Sequence, residues 1–340
     1  MATSPGEVVV RDPVSARRSA PAGAGPLAAR GLGWMRKQFV EPERPLVAIE
    51  VRASAIGVLR VRREQGRLLV GAAAVLDLPP GTLALSLTQP NIADAARFAQ
   101  ALHGALERAG ILGGAKVALV LPDTAARVTL VPSVEVAARK AKEIDELLRF
   151  RLRKSIPFEI REARLAYAVA GHTPSDTIVV ATAFGPVVAQ YEEACRGLGL
   201  EPGLVEIAGL ALVRAAFPAP SSGDGLLVNW EEGYVTLVLA REGWPILLRT
   251  LSGAAATSPG DVVREVSSTL IYYRERLGGA GITSAFVRSS LFPPEDAVDA
   301  LAPAVGFVPA VLDAWSTLGG APAEVSQALA GAAASLGAPQ

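Results

Sequence analysis

The chain has 340 residues, with 33 Lys and Arg against 33 Asp and Glu, one cysteine and two histidines. This length is enough for about two domains, and the zero net charge argues against nucleic-acid binding. A single cysteine excludes an internal disulfide, and two histidines exclude a multi-histidine metal site. The sequence contains neither the roughly 18-residue apolar run of a membrane-spanning helix nor the apolar core of a secretory signal. We therefore expect a cytoplasmic protein.

The first 33 residues are rich in Ala, Gly, Pro, Ser and Arg and lack periodicity, which predicts a disordered tail. An apolar segment that is interrupted by Arg36 and Lys37 follows; its members are Leu32, Trp34, Met35 and Phe39. We expect this segment to pack on the first domain. The alternative that the pattern leaves open is a short segment that binds to an anionic membrane surface.

Residues 46 to 131 contain five apolar runs, bounded by turn residues, and one amphipathic segment. The amphipathic segment predicts a helix that is capped by Asn91 and ends at Gly110. The apolar runs predict strands, at Leu46–Val51, Ala55–Arg62, Arg67–Val75, Lys116–Leu121 and Ala126–Val131.

A charged helix and a strand are predicted between Ser133 and Ala170. The helix has one apolar stripe, made of Ile144, Leu148 and Leu152 at a spacing of four residues. Ser133 is a candidate cap at its start. Pro157 disfavours helical geometry at the residue before it, which predicts the end of the helix. The alternation that follows predicts a half-buried strand.

The second half repeats part of the first. The segment Leu227–Trp244 matches Val47–Arg67 turn for turn and strand for strand, and the Pro- and Gly-rich Pro218–Gly225 is the predicted domain boundary. The remaining predicted strands are Thr177–Ala183, Leu204–Ala208, Leu226–Asn229, Tyr234–Arg241, Trp244–Thr250 and Ala285–Val287. The remaining predicted helices are Val187–Leu198, one that ends at Arg214, Asp261–Leu277 and Ala323–Leu336.

Several segments resemble, in order, segments of PilM, the cytoplasmic actin-like protein of the type IV pilus inner-membrane assembly complex. The most specific is Glu146–Val169, which carries Ile-Pro-Phe between helix and strand; the others are Lys116–Pro122, Thr177–Ala183, Gly199–Ala215 and Val263–Arg274. The resemblance implies an α/β, actin-like, two-lobed fold with duplicated mixed sheets flanked by helices. It places the first lobe at residues 34–220, with an inserted subdomain at about 133–175, and the second at 221–340.

The second lobe is expected to be reduced. The segment Ser252–Gly260 leads almost directly into the next helix, whereas PilM-like proteins carry a small subdomain at this point.

The resemblance also places a nucleotide site between two hairpin turns. Each turn of an actin-like ATPase normally offers an acid, a Gly and small hydroxyl residues. The first turn here keeps an acid at Glu50 and a hydroxyl at Ser54, but it has Arg52 where the Gly is expected. A side chain at that position occupies the space in which backbone N–H groups approach a phosphate.

The second turn departs further from the pattern. Asn229 replaces the acid, Glu231 replaces the Gly, and Glu232 adds a negative charge before Gly233. The Gly-Gly loop under the adenosine is also missing, because Val287–Leu291 stands in its place. We therefore expect a pseudo-ATPase without catalytic residues, metal or cofactor. An ATPase that still binds and hydrolyses ATP with Mg²⁺ is the alternative.

In the PilM family, the region beside the central helix receives the cytoplasmic tail of PilN, an inner-membrane protein. The candidate contact residues in this chain are Phe150, Ile156, Pro157 and Phe158, and core packing of Phe150 and Phe158 is the alternative that the sequence leaves open. The cations Arg149, Arg151, Arg153 and Lys154 crowd the end of the same helix. They either stabilise the helix C-terminus or contact acidic lipid headgroups or a partner.

The resemblance thus implies a non-catalytic cytoplasmic adaptor at the inner face of the inner membrane, in a type IV pilus or related secretion platform, that binds a PilN-like tail. The cytoplasmic domain of GspL, from type II secretion, is a close variant of this hypothesis.

Overall fold

The structure is a computed structural model that describes residues 44–111, 113–135, 140–169, 177–218, 221–256 and 258–337. The predicted tail, the apolar segment at residues 32–39 and His172 lie outside these ranges.

The strands are β1 Val47–Val51, β2 Ala55–Glu64, β3 Arg67–Asp77, β4 Lys116–Leu121, β5 Ala126–Pro132, β6 Ala163–Ala168, β7 Thr177–Phe184, β8 Glu201–Ile207, β9 Asp224–Glu231, β10 Tyr234–Arg241, β11 Trp244–Ser252, β12 Ile282–Ser289, β13 Ala310–Val311 and β14 Leu318–Gly319. The helices are α1 Ala95–Arg108, α2 Ala141–Leu152, α3 Gly185–Gly197, α4 Ala208–Ala216, α5 Pro259–Arg276, α6 Pro294–Val305 and α7 Ala330–Gly337. No helix of the described ranges is both long and apolar enough to cross a membrane.

Apart from β14 at the edge of the first sheet, the two large sheets share one strand order, which confirms the predicted duplication. The first sheet runs β14-β3-β2-β1-β4-β8 and the second runs β11-β10-β9-β12-β13. In each sheet an antiparallel three-stranded meander is followed by two strands that are parallel to its first strand. The matching order brings the β1–β2 turn and the β9–β10 turn to corresponding positions.

The inserted subdomain is a three-stranded sheet, β5-β7-β6, covered by α2. The predicted stripe of Ile144, Leu148 and Leu152 packs on this sheet. The subdomain is wider than predicted, because β5 precedes residue 133 and β7 extends to Phe184. Ser133 does not cap α2; it begins a separate 3-10 turn, and Lys140 lies at the N-cap.

Two helices lie between the sheets. Buried residues of α4 and α7 pack against both sheets, including Ala48 and Ala118 of the first and Leu227 and Val238 of the second. The prediction that residues 221–340 all belong to the second lobe is therefore wrong. Strand β14 pairs with β3 of the first sheet, and α7 packs on β1 and β4.

The cap of α1 differs from the prediction. Asp94, rather than Asn91, caps α1, because its side chain accepts a hydrogen bond from the Arg97 N–H. Ser258 caps α5 in a capping box with Asp261. The short connection from β11 to α5 is confirmed, since a single 3-10 turn, Gly253–Ala256, lies between them.

Candidate functional site between the two sheets

The candidate site lies where the two duplicated hairpins meet. Glu50 is on β1, Arg52 is in the turn that follows it, and Asn229 and Glu231 are on β9. All four are buried, and Glu50 and Asn229 are 0% exposed. The structure therefore brings together four of the six residues that the sequence assigned to a nucleotide site.

An arginine of each lobe pairs with a glutamate of the other. The Arg52 Nε of the first lobe lies 3.3 Å from the Glu231 Oε2 of the second. In the opposite direction, the Arg288 Nη2 of β12 lies 3.3 Å from the Glu50 Oε1. Arg288 also donates to the Glu231 carboxylate through its Nη1. These contacts make a network of ion pairs that crosses the space between the hairpins.

Arg288 is the centre of this network. Its side chain is 0% exposed, and it donates to Asn229 Oδ1 at 3.0 Å and to the Gln327 carbonyl at 2.8 Å. Burial lowers the pKa of Arg288 to about 10, although the neighbouring Glu50 opposes this shift. The guanidinium therefore remains charged at neutral pH.

Helix α7 contacts the network through Glu50. The Ala332 N–H donates to the Glu50 Oε2 at 2.8 Å. A Cβ on Gly331 would lie 2.7 Å from the Glu50 Oε1, so a glycine is required for α7 to approach this closely. Burial raises the pKa of Glu50, while Arg288 and the Ala332 N–H act in the opposite direction.

A further buried carboxylate, that of Asp123, adjoins the network. It accepts hydrogen bonds from the Gly209 N–H at 2.5 Å and the Asn229 Nδ2 at 3.0 Å. Burial raises the pKa of Asp123, which lies in a 3-10 turn directly after β4. Asn229 thus connects Asp123 to Arg288.

The charges of the cluster nearly cancel. The carboxylates of Glu50, Asp123 and Glu231 face the guanidinium groups of Arg52 and Arg288. Within the ranges that the structure describes, no group of three or more His, Cys, Asp or Glu could hold a metal ion. The arrangement is therefore suited to joining the two lobes through internal ion pairs.

The other predicted positions lie at the edge of this cluster. Ser54 contributes its carbonyl, which accepts from the Leu78 N–H, and Gly233 has a positive φ of 80° that the β9–β10 turn requires. Glu232 is exposed. The Glu231 carboxylate, in contrast, is paired with Arg52 and Arg288.

The candidate partner-binding residues are not equivalent. Phe150 is 65% exposed, with the Arg153 guanidinium 4.6 Å from its ring centroid. Pro157 is exposed, and Ile156 is buried. Phe158 is half-buried, with its ring centroid 5.2 Å from that of Phe184.

The basic residues at the end of α2 also differ from one another. Arg149 donates to the carbonyls of Ile160 and Ala163 at 3.0 and 3.2 Å and pairs with Asp145. It therefore holds the connection after α2 in place. Arg151, Arg153 and Lys154 are exposed.

Sequence reasoning missed Asp123, Arg288 and the Gln327 carbonyl as parts of the site. Arg288 lies in the segment that replaces the Gly-Gly loop, and its charge in an otherwise uncharged strand is a signal that the sequence offers. No local pattern marks the carbonyl of Gln327, because its role depends on the return of the chain to the first lobe.

The fold is similar to that of a chain in the PilM-PilN type IV pilus biogenesis complex, with a TM-score of 0.69 and 21% sequence identity over 87% of this chain and 98% of that chain. A protein with an actin-like ATPase fold from Bacteroides thetaiotaomicron VPI-5482 has a TM-score of 0.49, 8% identity and coverages of 83% and 94%. The cytoplasmic domain of EpsL, of the Vibrio cholerae type II secretion system, has a TM-score of 0.45, 10% identity and coverages of 73% and 83%. No protein-family model and no curated protein matches the chain.

The duplicated sheet order and the similarity to the PilM chain confirm the predicted two-lobed fold.

Proposed function

We propose that this protein is a non-catalytic adaptor of a type IV pilus or related secretion platform, located in the cytoplasm at the inner membrane, and that it binds the cytoplasmic tail of a PilN-like membrane protein. The similarity to a chain of the PilM-PilN complex supports the assembly context. The observation that carries the non-catalytic assignment is the buried ion-pair network between the two hairpin turns.

The network is a poor site for a nucleotide because its cations already have partners. A triphosphate would have to separate Arg52 and Arg288 from Glu231 and Glu50. Removing one partner of a buried ion pair costs about 3–5 kcal/mol. The displaced carboxylates would also face the phosphates, which adds repulsion. The residues present therefore do not fit ATP with Mg²⁺.

Calorimetric titration of the full chain with ATP and Mg²⁺ tests this assignment. We expect no binding heat and no change in the unfolding midpoint, because a ligand that binds the native state would raise it. A micromolar dissociation constant would overturn the proposal. It would favour the alternative, an actin-like ATPase that uses the same cleft.

We propose Phe150 as an anchor for the partner tail. Phe150 is 65% exposed on a charged helix, so its ring does not pack in the core. Aromatic side chains that become buried on binding dominate the affinity of peptide interfaces. Phe158 is a less suitable probe, because it packs on Phe184 and its substitution would disturb the subdomain.

A peptide of the partner's cytoplasmic tail, titrated against Phe150→Ala, tests the anchor. We expect an affinity loss of about tenfold or more, which corresponds to about 1.4 kcal/mol. Val308→Ala is the control, since Val308 is 71% exposed on the second lobe. Equal affinities of the two variants would show that Phe150 does not contribute to the interface.

A further inference from the structure

One edge of the second sheet carries exposed apolar side chains. Strand β13 is the last strand in the order of that sheet. It pairs in parallel with β12, with Val311 opposite Val287, so its other side is the edge of the sheet as far as the structure describes the chain. Phe307, Val308 and Val311 are 38%, 71% and 42% exposed. A strand edge beside exposed apolar side chains is a surface to which an extended segment can add as a further strand.

The residues next to this edge hold it in place. The Leu312 N–H donates to the Val287 carbonyl at 2.8 Å, and the Gln327 Nε2 donates to the Leu312 carbonyl at 3.3 Å. Leu312 and Trp315 are buried in the core between the two sheets, and Pro309 is buried as well. The exposed side chains are therefore carried by a fixed backbone, which lowers the entropy that a bound segment must lose.

The part of the chain that forms this edge is acidic. No Lys, Arg or His follows Arg288 in the sequence, whereas five exposed acidic residues do, namely Glu295, Asp296, Asp299, Asp313 and Glu324. The first three are on α6, which packs on β12 and β13. Asp313 is two residues after Val311. The apolar edge is therefore part of a negatively charged surface.

The charge of this surface discriminates among its possible occupants. An anionic membrane or a nucleic acid would be repelled by it. Two copies of the chain that met edge to edge about a two-fold axis would bring the same carboxylates of both copies together. Charged residues beside an edge strand normally prevent such self-pairing. A segment that carries cations would instead be attracted.

We infer that the β13 edge binds an extended protein segment in which Lys or Arg alternates with apolar residues. The apolar side chains of such a segment cover Phe307, Val308 and Val311, and its cations pair with the carboxylates of α6 and Asp313. Main-chain hydrogen bonds to β13 contribute affinity that does not depend on the sequence of the segment. The inference goes beyond the proposed function, because the partner tail is assigned to α2 in the inserted subdomain of the first lobe.

Fluorescence anisotropy of a labelled synthetic peptide, titrated with the full chain, tests the inference. The probe consists of three Lys-Val repeats, which is about the length of an ordinary strand. We expect saturable binding of this peptide. Peptides of three Lys-Ser or three Glu-Val repeats should bind at least about tenfold more weakly, because the first lacks apolar side chains and the second carries the charge of the surface itself.

Substitutions at the edge locate the binding. Asp299→Asn with Asp313→Asn should weaken it about tenfold, at about threefold for each exposed ion pair. Val308→Ser should weaken it about fivefold, because it removes apolar contact area. The matched control for the charge pair is Glu107→Gln with Glu193→Gln, which removes the same charge from exposed positions of α1 and α3. The control should bind like the unmodified chain, and circular dichroism checks that all variants are folded.

Several results would overturn the inference. They are equal losses in the charge pair and its control, equal binding of the three peptides, and no binding of the Lys-Val peptide by the unmodified chain. Sedimentation velocity tests a second copy as the occupant. Self-association that Val308→Ser abolishes would contradict the inference, and a sedimentation coefficient that does not change with concentration would support it. Because neither nucleotide nor partner tail is present, a failure here leaves the proposed function intact.

Discussion

The two ends of strand β2 carry arginines in opposite situations. At the end next to β1, Arg52 is buried and pairs with Glu231 of the other lobe. At the end next to β3, Arg63 and Arg67 are exposed and have no ionic partner among the described residues. Strand β2 therefore links a buried cluster between the lobes to exposed arginines at the β2–β3 turn.

The difference shows how burial determines what an arginine can do. A charge removed from water must be paired and hydrogen-bonded, so Arg52 and Arg288 are committed to internal glutamates. An exposed arginine keeps its hydration and loses little by exchanging water for an external phosphate. The cleft is consequently a structural joint in our interpretation, whereas Arg63 and Arg67 stay open to solvent.

Among the substitutions that test this difference, that of Arg288 should change the free energy of unfolding most. Arg288→Met leaves Glu50 and Glu231 without their shared partner in a buried site. We expect the free energy of unfolding, measured with urea, to fall by about 3–5 kcal/mol. The control Arg67→Met changes an exposed arginine at the start of β3 and should leave the unfolding midpoint unchanged. Equal stability of the two variants would contradict the assignment of a joint.

A methyl group at Gly331 should have the next largest effect. The added Cβ would lie 2.7 Å from the Glu50 Oε1 and 2.9 Å from its Cδ, so α7 or Glu50 must move. We expect Gly331→Ala to destabilise the protein by about 1–3 kcal/mol, as overpacked cores do.

Gly197→Ala is the matched control for this substitution. Gly197 is also a helical glycine, but a Cβ there meets nothing within 4 Å. Its substitution should be neutral or stabilise by up to about 1 kcal/mol, because alanine favours the helix. A destabilised Gly197→Ala together with a neutral Gly331→Ala would show that α7 does not press against the network.

The smallest expected effect is a pH dependence. Burial raises the pKa of Asp123 above its ordinary value of 3.8. Its contribution to stability is therefore present below pH 3.8 and is lost as the pH rises through the folded-state pKa. The stability difference between the unmodified chain and Asp123→Asn should decrease as the pH rises from about 3 to about 7.

Asp224 provides a comparison of opposite sign. Although burial acts against it, hydrogen bonds from Arg241 and Tyr273 lower the pKa of Asp224. Its contribution should be present above its ordinary value of 3.8 and lost as the pH falls. Urea denaturation of Asp224→Asn at the same pH values should show the opposite trend, and parallel trends for the two variants would refute both assignments.

Local patterns in the sequence were sufficient to identify most elements and the duplication. The spacing of Ile144, Leu148 and Leu152 determined which face of α2 is buried, because helical periodicity is a local property. The turn residues placed both hairpins, and the unusual Arg52 and Glu231 marked the cleft. The exposure of Phe150 was not determined in this way, because its position off the apolar stripe leaves core packing open.

Only the tertiary structure decided how the cleft is filled. Arg288, the Gly209 N–H and the Ala332 N–H reach Glu50 and Asp123 from segments that are distant in sequence. The sequence also did not predict that β14 and α7 contact the first lobe. Helix α7 is Ala-rich, and close packing determines its partners on both sheets. Residue type and spacing determine local geometry, whereas the pairing of buried charges depends on which segments the fold brings together.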